Sequence, residues 1–362
     1  MAAWSLAVLL GVPGLSTAQA VRPIRGPADQ CTVQLRETLR LGSLEDPGTI
    51  GSRPEITRTE RGEHIVASAE NRGELLVYDS EGGFRGTFGR GGDGPGEYVM
   101  PGRIRLGPDG SLVILDLRNR RITRVSGEME LLETVGVRSL QGLDFVTLDA
   151  GSRYAVSGFG QVDGRLNATT ELIDGDGERI TGLGDMPVEA WIVNFFRSPV
   201  AVDGQGRVWS ARAGEYAFEG WEPDGAEEAV VRLAGEADWF DPGPPQPGVP
   251  VTAPIPSVVM SLRFDEGLMW VGTWVADRNW ADNAGIESSA LDLDGLLDTI
   301  LEVIDPDTGR IVARARRDEA LRGTGDDALL FGVREEGGIP RAVLYETSLA
   351  GTGCPASDRP RM

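Results

Sequence analysis

Apolar residues along this chain recur in short runs with a period of two, and tight polar turns separate the runs. The stretch Met100–Val135 shows this pattern most clearly. Its apolar runs predict four strands, which are Arg103–Leu106, Ser111–Asp116, Arg121–Val125 and Leu131–Val135. The intervening turns contain residues that favour chain reversal, namely Pro108-Asp109-Gly110, Arg118-Asn119-Arg120 and Gly127-Glu128. The stretch therefore predicts one antiparallel meander.

The same meander recurs along the chain. Turns between third and fourth strands are spaced 44, 50, 48 and 84 residues apart and fall at Gly83, Gly127, Gly177, Gly225 and Gly309. Four-stranded repeats of this size are typical of propeller blades and not of solenoids. We interpret the longest interval as one blade with two long insertions. The sequence thus predicts an all-β fold, a six-bladed β-propeller with four-stranded antiparallel blades.

The last repeat lacks its outer strand, and one strand near the N-terminus belongs to no repeat. Clear strands are predicted at Leu329–Val333 and Ala342–Tyr345, with a weak inner strand near Leu321–Gly325. The unassigned strand is Thr32–Arg40, and we expect it to complete the last blade by antiparallel pairing. That pairing would bring together the two cysteines of the chain, Cys31 and Cys354. We expect a disulfide between them; the alternative is two free thiols.

The N-terminal residues predict export. Residues 1–20 resemble a signal peptide, with an apolar core at Leu6–Leu15 and a small-residue cleavage site at Ala18-Gln19-Ala20. We expect a loose leader at 21–31, the propeller at 32–354 and a flexible tail at 355–362. No later segment is apolar enough to span a membrane. The expected location is periplasmic or extracellular.

Composition narrows the classes of function. The net charge of −21 argues against nucleic acid and against anionic membranes as partners. All 35 basic residues are arginine, so Schiff-base chemistry is excluded. The single histidine, His64, begins a second strand, and there is no GxSxG motif. A Ser-His-Asp site and a zinc site are therefore poorly supported, and the sequence favours a binding module over an enzyme.

Two stretches carry a family resemblance. The pattern PDGSLVILDLRNRRITRV resembles the NHL-type repeat of six-bladed propellers, with Asp116, Asn119, Arg121 and Ile122 in matching places. The glycine-rich loop Gly89–Tyr98 is similar to one in exported bacterial six-bladed propellers of unassigned function. The resemblance extends from Glu55 to about Leu349 and implies the same fold. Without a lysine or a following helix, the glycine-rich loop is interpreted as a wide turn and not as a phosphate site.

Meander connectivity assigns each turn to one face of the ring. Turns between strands one and two, or three and four, lie on one face and are tight here. The other face carries the turns between strands two and three and the crossings to the next blade. We call it the long-loop face, because it holds the predicted insertions Gly89–Gly102, Gly184–Ser198, Glu236–Pro256 and Val275–Leu297. Long loops on a rigid ring are the usual place for binding residues.

Large side chains in these loops are the candidate ligand-binding residues, for a protein or a small-molecule ligand that the sequence does not identify. They are Tyr98, Trp191, Phe196, Arg197, Trp239 and Trp280. Exposed aromatics together with arginine are typical of a binding surface. The alternative is that the loops fold over and plug the channel, with the aromatics forming core.

Carboxylates in the last insertion allow a second interpretation. Asp277, Asp282 and Asn283 are candidates for calcium ligands, although an acidic loop is expected in an acidic protein. No other cofactor is indicated. The alternative function is a calcium-dependent hydrolase similar in architecture to six-bladed lactonases, and a third is a structural element of an envelope assembly.

Overall fold

The fold is that of a computed structural model. It describes residues 20–26, 31–51, 53–162, 165–187, 199–212, 214–224, 228–241, 254–280, 296–323, 328–352 and 354. The predicted signal core and C-terminal tail lie outside these residues. Within these residues, two short 3₁₀ helices, Ala69–Asn71 and Asp149–Gly151, accompany the strands. Among the described residues, no helix has the length and hydrophobicity needed to cross a bilayer.

Two strands precede the first blade, β1 (Ala20–Pro23) and β2 (Thr32–Leu41). The first three blades then follow in chain order. Blade one contains β3 (Glu55–Arg58), β4 (His64–Ala67), β5 (Leu75–Tyr78) and β6 (Phe84–Phe88). A parallel pair in the next crossing consists of β7 (Arg90–Gly91) and β8 (Glu97–Tyr98). Blade two contains β9 (Pro101–Leu106), β10 (Leu112–Asp116), β11 (Arg121–Val125) and β12 (Leu131–Gly136). Blade three contains β13 (Gln141–Leu148), β14 (Arg153–Val162), β15 (Arg165–Asp174) and β16 (Arg179–Pro187).

The last three blades complete the ring. Blade four contains β17 (Val200–Val202), β18 (Val208–Ala211), β19 (Ala217–Trp221) and β20 (Val231–Ala234). Blade five contains β21 (Val258–Asp265), β22 (Leu268–Ala276), β23 (Leu297–Asp305) and β24 (Arg310–Arg317). Blade six contains β25 (Arg322–Gly323), β26 (Leu329–Glu336) and β27 (Ile339–Ala350), with β2 outside them. The predicted all-β, six-bladed propeller is confirmed.

Turn chemistry and strand ends agree closely with the sequence pattern in blade two. Gly110 has a φ of 75° in the predicted turn, a conformation that glycine adopts without strain. Blade three differs from blade two, because its strands are longer. Strand β14 continues through Gly158 to Val162, and a Cβ at Gly158 would lie 2.0 Å from the carbonyl oxygen of Gln141. Glycine here permits close approach of two strands at a register shift instead of ending the strand.

The N-terminal strand closes the ring as predicted. Strand β2 pairs antiparallel with β27 along its length, from Thr32 opposite Ala350 to Leu41 opposite Ala342. Cys31 and Cys354 form a disulfide, with their Cα atoms 5.5 Å apart. Blade six also packs against blade one, since Leu41 and other residues of blade six share a buried apolar cluster with residues of blade one; the cluster includes Phe331, Leu344, Ile56, Val66 and Tyr78.

The segment expected to be a loose leader is partly a strand. Strand β1 pairs in parallel with β20, placing Val21 opposite Arg232 and forming a fifth strand on blade four. Arg25 then bridges Arg310 in the outer strand of blade five. The prediction failed because a four-residue strand with a proline and an arginine has no periodic signal of its own. It forms because the edge of β20 offers unpaired backbone groups.

Charged side chains join the innermost strands of four blades. The Arg103 guanidinium contacts Glu55 Oε2 at 2.6 Å and Asp144 Oδ1 at 3.0 Å. Arg105 Nη2 contacts Asp144 Oδ2 at 3.0 Å and donates to the Val200 carbonyl at 2.9 Å. We call these residues the hub network. All four charged side chains are buried. Blades one to three therefore meet through ion pairs that water hardly screens, and blade four joins them through backbone hydrogen bonds of Val200.

Asp144 is the centre of the hub network. Its carboxylate also accepts from the backbone amides of Phe145 at 2.9 Å and Val200 at 3.2 Å. Burial alone would raise the pKa of this carboxyl, but the Arg103 and Arg105 guanidiniums outweigh burial and lower it. Asp144 is therefore held ionised in the middle of the ring.

Candidate functional site

The long-loop face is described in part. The crossing from Gly89 to Gly102 is complete, whereas the other three long loops are described only near their ends. Trp191, Phe196 and Arg197, predicted as ligand-binding residues, lie outside the described residues, as do Asp282 and Asn283. Tyr98, Trp239, Trp280 and Asp277 can be placed.

Tyr98 is a core residue of the interface between blades one and two. Its side chain is 0% exposed and packs with Phe88, at a ring-centroid distance of 6.3 Å, and near Ile104. The ring has no exposed surface to offer a ligand in this structure. Of the two alternatives for the loop aromatics, a binding surface or core, Tyr98 agrees with the second, because the glycine-rich loop turns back on itself and inserts its last residue between the blades.

The residues that carry the NHL resemblance hold this loop in place. Asp116 is fully buried and accepts the backbone amides of Val99 and Met100, at 2.8 and 3.1 Å. Asn119 Nδ2 donates to the Gly92 carbonyl at 3.1 Å. Arg121 donates to three loop carbonyls, which are those of Asp93, Gly94 and Glu97. These side chains form hydrogen bonds with the loop backbone, and the loop forms the predicted wide turn.

Replacing Arg121 with alanine should loosen the loop without unfolding the propeller. Three carbonyls would lose their donor at once, and each hydrogen bond from a charged group contributes about 1.5–3 kcal/mol. Hydrogen exchange of the amides from Gly92 to Glu97 should accelerate, while that of β10 and β11 stays slow. Arg118→Ala, at an exposed position in the same turn, is the matched control. Equal exchange in the two variants would contradict this role for Arg121.

An aromatic cluster lies on the long-loop face between blades four and five. Tyr216, in the turn that leads into β19, packs edge-to-face against Trp239 at 5.2 Å and also contacts Phe240 at 5.7 Å. Trp239 and Phe240 contact each other at 5.9 Å. Tyr216 is buried, whereas Trp239 and Phe240 are half-buried against the apolar core of these two blades. Trp239 is thus both a packing residue and partly accessible.

Polar side chains of blade five hold Tyr216 of this cluster in place. The Tyr216 hydroxyl donates to Glu302 Oε2 at 2.6 Å, and Arg314 Nε donates to Glu302 Oε1 at 2.7 Å. The Arg314 guanidinium also lies 5.6 Å from the centroid of the Trp239 ring. Burial raises the pKa of Glu302, against the opposing effects of Tyr216 and Arg314. Burial, together with the neighbouring Glu302 carboxylate, raises the pKa of Tyr216. The phenol therefore stays protonated and holds its ring in one orientation.

A cavity of about 550 Å³ opens beside these rings, and we call it the blade-four pocket. The turn before β19 and the crossing after β20 line it, including Glu215, Tyr216, Arg232, Glu236, Asp238 and Phe240. Arg232 is engaged by Glu215 at 2.6 Å and Glu219 at 3.1 Å. Glu236 and Asp238 are exposed, and neither forms an ion pair within the described part of the chain. The pocket thus combines an apolar wall with a negative rim.

A second cavity, of about 330 Å³, lies on the same face at blade two and includes Arg120, Arg121 and Arg138 in its lining. Its three arginines already have hydrogen-bond or ion-pair partners within the protein. Arg120 Nη2 donates to the carbonyls of Arg138 and Leu140, Arg121 holds the glycine-rich loop, and Arg138 pairs with Glu178 at 3.0 Å. This cavity therefore has fewer uncommitted groups than the blade-four pocket.

The predicted residues of blade five lie at another point of the long-loop face. Trp280 is half-buried, and its backbone amide donates to the Asp277 carbonyl at 3.2 Å. Asp277 is buried and lies near Asp298 and Asp318. Asp298 and Asp318 were not among the predicted ligands, since neither lies in the acidic loop. Burial raises the pKa of Asp298, the Arg316 guanidinium opposes this, and the Asp277 carboxylate adds to it.

Comparisons with known proteins show the fold of this chain and not its activity. No family model and no curated protein match the chain. Among solved structures, a Bacteroides fragilis NCTC 9343 protein described as exported aligns with a TM-score of 0.56 and 9% identity, over 92% of this chain and 100% of that one. A member of the duf4221 family from Bacteroides vulgatus ATCC 8482 gives a TM-score of 0.54 and 9% identity, over 89% and 99%.

Virginiamycin B lyase from Staphylococcus aureus also aligns, with a TM-score of 0.43 and 9% identity, over 88% of this chain and 99% of that one. At such identities the likeness concerns the fold alone. The two Bacteroides structures, one of them described as exported, thus show the fold of this chain, and its function has to be argued from its own residues.

Proposed function

We propose that this protein is an exported binding module and that its ligand occupies the blade-four pocket. The observation that carries the proposal is the open cavity beside Tyr216 and Phe240. A rigid ring supports this cavity, because Tyr216 is anchored to Glu302 of the neighbouring blade. Pre-organised apolar walls with a few polar groups at the edge are typical of ligand sites. The disulfide supports export, because such bonds persist in oxidising compartments.

The rim chemistry favours a ligand with a cationic group next to an apolar one. Glu236 and Asp238 offer carboxylates that no arginine neutralises among the described residues. The Phe240 ring is half-buried and leaves part of its surface for an apolar group. The net charge of −21 also raises the local concentration of cations around the molecule. A basic peptide segment or a small organic amine meets both requirements.

The double variant Glu236→Gln/Asp238→Asn should bind a cationic ligand more weakly. The probe is a phenylalanyl-arginine amide, and its citrulline counterpart removes the charge while keeping the shape. We expect the double variant to lose about three- to tenfold in affinity by calorimetry, because each exposed charge pair contributes about 0.2–1 kcal/mol. Raised salt should weaken the binding of the arginine probe to the native chain.

The matched control removes two exposed carboxylates elsewhere. Asp93 lies on the same face in the glycine-rich loop, and Glu128 lies on the opposite face. The variant Asp93→Asn/Glu128→Gln should bind the arginine probe as the native chain does. Equal affinity for the arginine and citrulline probes, or equal losses in the two double variants, would contradict the proposal.

A second candidate function is a metal-dependent hydrolase, as the carboxylates of blade five allow. Its motivating observation is the approach of Asp277, Asp298 and Asp318 on the long-loop face. Hydrolysis of a panel of lactones and aryl esters, measured with and without calcium, tests it. Turnover that requires calcium and is lost in Asp298→Asn would favour the hydrolase over the binding module.

A further inference from the structure

Three aspartates converge at the long-loop end of blade five. Asp277 directly follows β22, Asp298 lies at the start of β23, and Asp318 directly follows β24. These strands are neighbours in one antiparallel sheet, so the three positions meet at the same edge. One carboxylate oxygen of each residue lies within 4.8 Å of those of the other two. The meander itself therefore assembles the cluster.

The cluster contains a buried oxygen without a donor. Asp298 is 2% exposed, and its Oδ2 accepts a hydrogen bond from Arg316 Nε. Its Oδ1 is buried and has no hydrogen-bond partner within the described residues. Asp277 is also buried, and its Oδ1 accepts from the Asn279 amide at 2.5 Å. A buried carboxylate oxygen that lacks a donor is unfavourable unless a cation or a proton neutralises it.

The charge balance favours a divalent cation. Arg316 is the basic residue that pairs with these carboxylates in the described part of the chain. It cannot swing to neutralise all three, because its Nη2 donates to the Ala276 carbonyl at 2.8 Å. Three carboxylates and one guanidinium leave a net charge of −2, and one divalent ion cancels it. A single shared proton would leave a negative charge at a site that is partly buried.

The donor set identifies the class of cation. Carboxylate oxygens are hard ligands, which suit calcium or magnesium and not zinc or copper. Oxygens up to 4.8 Å apart can lie on opposite sides of a calcium ion, whose bonds to oxygen are about 2.4 Å long. Asp318 is exposed, so water can complete the coordination. We propose that Asp277, Asp298 and Asp318 bind calcium and that the ion ties together the long-loop ends of β22, β23 and β24.

Calorimetric titration and thermal unfolding of the full chain test this site. After dialysis against EDTA, the chain is titrated with calcium chloride, and magnesium chloride is the comparison. We expect saturable binding of one calcium ion, and a rise of about 3 °C in Tm at a hundredfold excess over Kd. Asp277→Asn and Asp298→Asn should each weaken calcium binding at least tenfold. Asp277→Asn keeps the Asp298–Arg316 pair, so it tests the site even if Asp298→Asn fails to fold.

The control is Asp307→Asn, which removes one carboxylate at the opposite end of the same blade. It should bind calcium as the native chain does. Absence of binding in the native chain, a response to magnesium and not to calcium, or equal binding in Asp277→Asn and the native chain would overturn the inference. The outcome does not depend on the blade-four pocket, because a calcium site here needs no ligand there.

Discussion

Asp144→Asn should destabilise the whole propeller by about 3–5 kcal/mol, the cost of removing one partner from a buried charge network. The substitution keeps the side-chain shape but leaves the Arg103 and Arg105 guanidiniums, which both contact the Asp144 carboxylate, buried next to a neutral amide. The hub network joins four blades, so we expect one cooperative transition at a lower denaturant midpoint.

The matched control is the exposed pair of Arg138 and Glu178, at 76% and 68% side-chain exposure. Glu178→Gln should change stability by less than about 1 kcal/mol. If urea unfolding gave the same midpoint for Asp144→Asn and Glu178→Gln, the hub network would not hold the ring together.

The hub network also sets a pH dependence. Because the pKa of Asp144 is lower in the folded chain than in the unfolded one, the unfolded chain takes up the proton more readily. The stabilisation is therefore present above the unfolded pKa, about 3.9, and is lost as the pH falls through the folded pKa. Below the unfolded pKa, the stability of the native chain should therefore fall with pH more steeply than that of Asp144→Asn, as measured by urea unfolding at several pH values.

Deleting residues 32–41 should abolish cooperative folding. The deletion leaves the long strand β27 with an open edge and removes Leu41 from the cluster that joins blade six to blade one. An unpaired edge of this length also promotes aggregation. The deletion is made in a Cys31→Ser/Cys354→Ser chain, so that the result does not depend on disulfide formation. We expect no sharp thermal transition.

The undeleted Cys31→Ser/Cys354→Ser chain is the reference. It should fold and lose at most about 5 kcal/mol, the chain-entropy value for closing so long a loop. Its β2 still pairs with β27 from Thr32 to Leu41, so the sheet remains complete. Cooperative unfolding of the deleted chain at the midpoint of this reference would show that the ring closes without β2.

Period-two alternation and turn residues were sufficient to predict the blades, because each blade is a local meander whose strands and turns have their own signals. The ends of β11 agree with the predicted Arg121–Val125. Ring closure was also predictable, since an unpaired strand at one end matched a missing strand at the other. In contrast, β1 forms only by pairing with the edge of β20. The local sequence of residues 20–23 contains no information about that edge, so this strand could not be predicted.

The candidate site was predicted less well, because burial depends on how a loop folds. Tyr98 and Trp239 have similar sequence contexts, each in a loop with glycine or proline. One is fully buried, and the other is partly exposed beside a cavity. Tyr216 and Glu302 are 86 residues apart, and their hydrogen bond could not be anticipated without the ring. The sequence feature that pointed to the blade-four pocket was the acidic and aromatic composition of the crossing after β20.

The position of β2 in the sequence also determines when the ring can close during folding. Strand β2 leaves the ribosome well before its partner β27, which ends at Ala350, more than 300 residues later. Closing a loop of this size is slow, because most of the chain must be ordered before the contact forms. The ring therefore cannot close before β27 has been synthesised, and until then the growing chain keeps β2 unpaired.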